Sequence, residues 1–145
     1  MGAIQAARKL KVLNSQLPEL INQSLSEMEQ FLVDLNKSQL DKGLDANGSH
    51  LGYYRPATYA YAEDNGRPKT SPEINLLDTG SFRAAFTAII FGNQMYFSSG
   101  DRKANILEQI YGDSILGLPI DKKEIIGNKL IEILTIKVTN LLTNA

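Results

Sequence analysis

The sequence predicts an α+β domain, a small antiparallel sheet packed against an N-terminal helix and a long C-terminal helix. Three observations predict it. Leu20, Ile21, Leu25, Met28, Phe31, Leu32 and Leu35 recur at spacings of three and four, the period of an amphipathic helix. Residues 87–91 and 94–99 are two apolar segments on either side of Gly92-Asn93, the pattern of an antiparallel hairpin. Ile125, Ile126, Leu130, Ile133, Leu134, Ile136, Val138, Leu141 and Leu142 cover more than half the circumference of a last helix, where a surface helix needs one stripe.

At 145 residues the chain is most simply a single domain, 1–145, long enough to bury roughly two thirds of its unfolded surface. A net charge of −1 with 21% charged residues supplies neither a basic field for nucleic acid nor the acidic excess of a disordered chain. The absence of cysteine excludes disulfides and thiolate metal sites and leaves the compartment open. His50, the sole histidine, argues against a histidine-ligated zinc site and against a Ser-His-Asp device, so no metal and no cofactor are expected. No segment reaches the about 18 unbroken apolar residues of a membrane span, and the N-terminus has no signal-peptide core. The expectation is a protein that is soluble, or becomes so within an assembly.

Taken in order, residues 3–13 have high helix propensity, with Ile4, Ala7, Leu10 and Leu13 on one side and Arg8, Lys9 and Lys11 as a solvated basic face. Pro18 suits the first turn of a second helix running to Asn36. Its apolar stripe reads as core or as a face for a neighbouring subunit, and residues 1–36 as a whole could be an arm that orders on assembly. Asp45-Ala46-Asn47-Gly48 opens like a calcium loop, but Pro56 stands where the closing acidic ligand belongs, and a tight Asn-Gly hairpin explains the same letters. Tyr53, Tyr54, Tyr59 and Tyr61 are expected to cluster around Pro56 as packing or subunit contact, with too few cations among them for base stacking. Residues 63–72, with two prolines and a glycine, are an exposed loop, either plainly solvated or an arm carrying Arg67 and Lys69 to a neighbour or to nucleic acid. Residues 101–111 predict a short helix with Ile106, Leu107 and Ile110 inward, closed by Gly112. An apolar connector at 115–119 then leads to Asp121 and Glu124, a capping box for the last helix.

The stretch around which the rest is organised is 74–91, where Leu76 and Leu77 run into Asp78-Thr79-Gly80. Asp78 and Thr79 can each accept from a backbone N–H two or three residues on, and Gly80 can adopt a dihedral that a side chain forbids, so the triplet makes a corner without a ligand. A helical turn capped by Asp78 or Thr79 should follow, delivering Phe82 and Phe86 to one face. A strand near Leu76 is expected to complete the sheet.

The words Leu-Leu-Asp-Thr-Gly-Ser at 76–81 and Ile-Ile-Gly-Asn at 125–128 resemble those of retroviral-type aspartic proteases. That resemblance implies a homodimer in which Asp78 of each chain shares one proton and activates water. Three features oppose it. Long helical patterns precede the triplet where that family has strands, residues 101–111 read as helix where a flap should come, and Ile125-Ile126-Gly127 lies inside the last helix.

A second resemblance covers more of the chain, about 100 residues. Gly-x-Asp-x-x-Gly-x-x-Leu-Gly-x-Tyr at 43–54, Pro-Ala-Thr at 56–58, Gly-Arg-Pro at 66–68, Leu-x-Asp-Thr-Gly-x-Phe at 76–82 and Tyr-Gly-Asp-x-Ile-Leu-Gly-Leu at 111–118 follow one another in an order similar to that of tail-completion, neck and other virion-morphogenesis proteins of tailed bacteriophages, particularly those of Bacteroidetes hosts and crAss-like phages. The His-x-x-Gly and Arg-Pro-Phe words of some members are missing. The resemblance implies a structural head-tail connector protein of the virion, assembled in the host cytoplasm and without catalysis. It implies a homo-oligomeric ring of six or twelve copies, with portal, adaptor and tail proteins as neighbours, and DNA passing through without sequence-specific binding. On this reading Asp78, Thr79, Gly80, Phe82 and Phe86 are the structural corner, and Leu25, Met28, Phe31, Arg67, Lys69, Leu130, Leu134 and Val138 are candidates for the subunit interface.

Overall fold

A computed structural model describes residues 2–91 and 94–144. The fold is α+β, with helices α1 (Ala3–Asp41), α2 (Pro56–Asp64), α3 (Ser81–Ala84), α4 (Ala104–Tyr111) and α5 (Lys123–Asn144) and strands β1 (Phe86–Phe91) and β2 (Gln94–Ser99). The strands form a two-stranded antiparallel sheet in which Phe86 pairs with Ser99 and Phe91 with Gln94. The expected Gly92-Asn93 turn lies outside the described residues.

The chain divides into two compact units, one of residues 1–28 with 123–145 and one of residues 29–122. In the first unit, the two predicted N-terminal helices are one. Pro18 lies inside α1, where its missing N–H and its ring cost about 3 kcal/mol, and good helix formers on both sides carry the helix past it. Helix α5 runs back along this part of α1. Lys9 Nζ donates to the Leu142 carbonyl at 2.7 Å, and Lys137 Nζ meets Glu27 Oε1 at 2.7 Å further along. Asp121 falls within the 3₁₀ turn Ile120–Lys122, a helical position, so it does not stand at the cap site of α5.

The second unit is built on the last turns of α1, where Leu32, Val33 and Leu40 are buried. The helix stops because Gly43, at φ 71°, turns the chain left-handed, so that the Gly43 and Leu44 amides reach back to the Leu40 and Gln39 carbonyls. A side chain at Gly43 would also meet Glu73 Cβ at 3.0 Å. The hairpin expected next is there in its shortest form, a Leu44–His50 bridge closed by Asp45, whose Oδ1 accepts from the Asn47 and Ser49 amides. The connector at 115–117 docks against two buried amides of α1. Asn36 donates to the Ile115 carbonyl and accepts from the Gly117 amide, while Gln39 donates to the Gly117 carbonyl.

Four expectations are corrected in this unit. The third strand near Leu76 is absent from the described sheet, because Leu76 adopts φ +57°, which no strand tolerates. Pro56 starts α2, so Glu63 and Asp64 end a helix and the irregular loop begins at Asn65. The tyrosines do not form one cluster: Tyr54 and Tyr59 meet edge to face at 6.3 Å, Tyr53 sits beside His50, and Tyr53 and Tyr61 are exposed. On α4 the buried residue is Ala104 and Leu107 is half-buried, whereas Ile106 and Ile110 point to solvent.

Candidate functional site

The corner at 75–80 is made from two side-chain turns, and the first begins earlier than the sequence suggests. Asn75 Oδ1 accepts from the Leu77 amide at 3.1 Å and from the Tyr54 hydroxyl at 3.0 Å, bridging over Leu76 in its left-handed conformation. A branched side chain there costs about 1–2 kcal/mol, offset by the burial of Leu76 and the two bonds to Asn75. The signal was an asparagine immediately before an apolar pair, a pattern for such turns that the Asp-Thr-Gly triplet overshadowed. Thr79 supplies the second turn, its Oγ1 accepting from the Ser81 amide at 3.3 Å. Gly80 at φ 91° is the residue before α3.

Asp78 does not cap α3, which has no side-chain cap. Its carboxylate turns instead to two cations. Arg67 Nε donates to Oδ1 at 2.9 Å, and Lys103 Nζ stands 3.4 Å from Oδ2. The Arg67 guanidinium, with Lys103 adding to it, holds the Asp78 carboxyl below the usual carboxylate range. Lys69 completes the set. Its ammonium donates to the Leu77 carbonyl at 2.7 Å and lies 4.5 Å from the centre of the Tyr54 ring, and burial pushes its pKa down. Thus Arg67 and Lys69, predicted to reach a neighbour, are turned onto the corner of their own chain.

Phe82 and Phe86 are both buried, with ring centres 4.9 Å apart and planes at 89°. Between them in sequence, Arg83 is buried as well. It donates to the Lys37 carbonyl at 2.9 Å and pairs with Asp41 at 2.7 Å, placing a cation at the C-terminal end of α1 where the helix dipole favours one. Sequence reasoning passed over Arg83, since nothing local distinguishes an arginine that points inward on a four-residue helix.

A cavity of about 170 Å³ opens beside the corner, lined by Tyr54, Lys69, Leu76, Asp78, Phe82, Lys103, Leu107 and Tyr111 among others. Burial pushes the Tyr111 hydroxyl up in pKa. A wider groove of about 740 Å³ runs along Leu35, Lys42, Leu44, Leu118 and Pro119. Gln39 lines it too, but its Oε1 is buried without a partner among the described residues and out of contact with solvent, so the groove offers no ligand access to that acceptor.

No family model, no curated protein and no solved structure matches the chain.

The candidate interface residues fare differently from one another. Met28 is 1% exposed, which withdraws it from any contact surface, and Leu25, Phe31, Leu130, Leu134 and Val138 are half-buried. The large apolar residues that remain in solvent in the first unit are others: Ile4, Leu10, Val12, Leu17 and Ile21 on α1 and Ile125, Ile131 and Ile136 on α5. A periodic pattern identifies which residues of a helix are apolar, but not which of two faces the chain itself covers when the apolar arc exceeds half the circumference.

Proposed function

We propose that the chain is a structural virion protein of a tailed bacteriophage, forming an oligomeric ring in the neck or tail-completion region that links portal and head to tail, with no catalysis. The observation that carries this reading is the uncovered apolar surface of the first unit, where Ile4 is 71%, Leu10 61% and Ile131 64% exposed. Scattered apolar residues are ordinary on a surface, but a run of them on both helices of one unit is what a repeated head-to-tail contact would cover. The ordered sequence words, which resemble those of neck proteins, add the virion context, and a net charge of −1 suits the wall of a DNA channel better than a grip on DNA.

The aspartic-protease reading is less well supported. A catalytic dyad needs two carboxylates close enough to share a proton, and here Asp78 is held as a carboxylate between Arg67 and Lys103. The two readings separate in one preparation. Mass photometry and negative-stain imaging of the purified chain are expected to give rings, and the double change Leu10→Ser with Ile131→Ser to give monomers. Asp78→Asn is expected to leave rings intact. A protein that stays monomeric at high concentration, or cuts peptides in a pepstatin-sensitive way that Asp78→Asn abolishes, would overturn the proposal.

A further inference from the structure

The cavity beside the corner has an inside and an outside of different chemistry. Its inner wall is apolar, with Leu76 and Phe82 buried and Leu107 half-buried. Tyr54 and Tyr111 line it as well. Its outer side carries two ammonium groups, Lys69 and Lys103, the second half exposed. At about 170 Å³ it lies below the range of about 300–1,000 Å³ typical of drug-sized ligands. It has room for a single ring or a short branched chain, and not for a nucleotide.

Charge around the cavity is unequal. Arg67 and Lys103 converge on one carboxylate, Asp78, while the Lys69 ammonium is held nearby by the Leu77 carbonyl and the Tyr54 ring. The next acidic group, Asp101, is occupied in its own loop, where its carboxylate accepts from the Lys103 amide at 2.8 Å. Arg67 holds Asp78 at 2.9 Å, whereas Lys103 is 3.4 Å away, a long contact that contributes little. Lys103 can therefore leave Asp78 to Arg67 and take a second carboxylate without stranding a charge.

We propose that this cavity is a binding site for a carboxylate borne on a small apolar group, with the apolar part against Leu76, Phe82 and Leu107 and the carboxylate between Lys69 and Lys103. The inference is independent of ring assembly. Its source is either a free aromatic or aliphatic acid or the C-terminal residue of a peptide, and both present the same chemistry.

The test is a titration of the full chain followed by amide NMR shifts, with benzoate for the free acid, N-acetyl-leucine for the peptide end, benzamide as the neutral isostere and inorganic phosphate as the bare anion, all at one ionic strength. Saturable shifts at residues 76–82, 103 and 107 with benzoate or N-acetyl-leucine, and none with benzamide or phosphate, are expected, and the better of the two acids identifies the source. Lys103→Gln, at an exposed position that leaves folding intact, is expected to weaken binding about tenfold to a hundredfold, the loss of one hydrogen bond to a charged group. Leu107→Asp should abolish it. Shifts that fail to saturate, equal shifts with phosphate or benzamide, or unchanged affinity in Lys103→Gln would overturn the proposal.

Discussion

Two stretches of α1 carry the same kind of apolar pattern and meet different fates. Along its last turns Leu32, Val33, Asn36, Gln39 and Leu40 are buried, and even the polar members are engaged, Asn36 and Gln39 gripping the backbone of residues 115–117. Along its first turns Ile4, Leu10, Leu17 and Ile21 stay in solvent on a helix that continues without a break. Helical periodicity is common to both. The difference is the supply of partners: the second unit contributes short helices, a hairpin and an apolar connector to cover α1, whereas in the first unit a single helix, α5, is available. One helix cannot cover an arc wider than its own contact stripe, so the surplus stays in solvent, and it is this surface that the proposed ring contact would cover.

The contrast can be broken most severely at Leu32, which is fully buried. Leu32→Ala should destabilise the second unit by about 2–5 kcal/mol in urea unfolding, through lost burial and the cavity left behind. Asn36→Ala comes next. It leaves the Ile115 carbonyl and Gly117 amide unpaired in the interior and should cost about 1–3 kcal/mol in the same assay. An equal loss of apolar surface at Leu10→Ser should change unfolding by less than about 0.5 kcal/mol, while its effect appears in particle mass.

The corner predicts a smaller, pH-dependent effect. Because Arg67 lowers the folded pKa of Asp78 below its ordinary value of 3.8, the stabilisation is complete above that value and is lost as pH falls through the lower, folded one. Asp78→Asn should flatten this part of the acid-unfolding curve, with slightly lower stability on the neutral side and convergence with the unaltered protein at the acid end. The side chain is 40% exposed, so the difference should also fade with added salt. An acid limb that is identical in the variant would show that the Arg67 contact contributes nothing.

Much of the fold was legible residue by residue. The hairpin strands, the helix closed by Gly112, the tight turn at Asp45 and the paired Phe82 and Phe86 all rest on local rules of period, turn and cap, and those rules read directly from letters a few positions apart. The candidate site was legible only in part. Asp78-Thr79-Gly80 marks a bend, but the partners of Asp78 lie 11 and 25 positions away, and no local rule brings Arg67 and Lys103 to it. The same holds for Arg83, whose partners Lys37 and Asp41 belong to a helix that ends 42 residues earlier.

By itself the sequence determined the α+β class, helical structure at either end and the position of the bend, because each depends on periodicity or on backbone freedom within one short segment. Only the tertiary structure decided that Pro18 would be carried inside a helix, that Leu76 would take the left-handed turn in place of a strand, and that one carboxylate would gather two cations, Arg67 and Lys103, beside an apolar cavity. Those outcomes are contests between a local preference and contacts made across the chain, and a contest of that kind is settled only when both sides are in place.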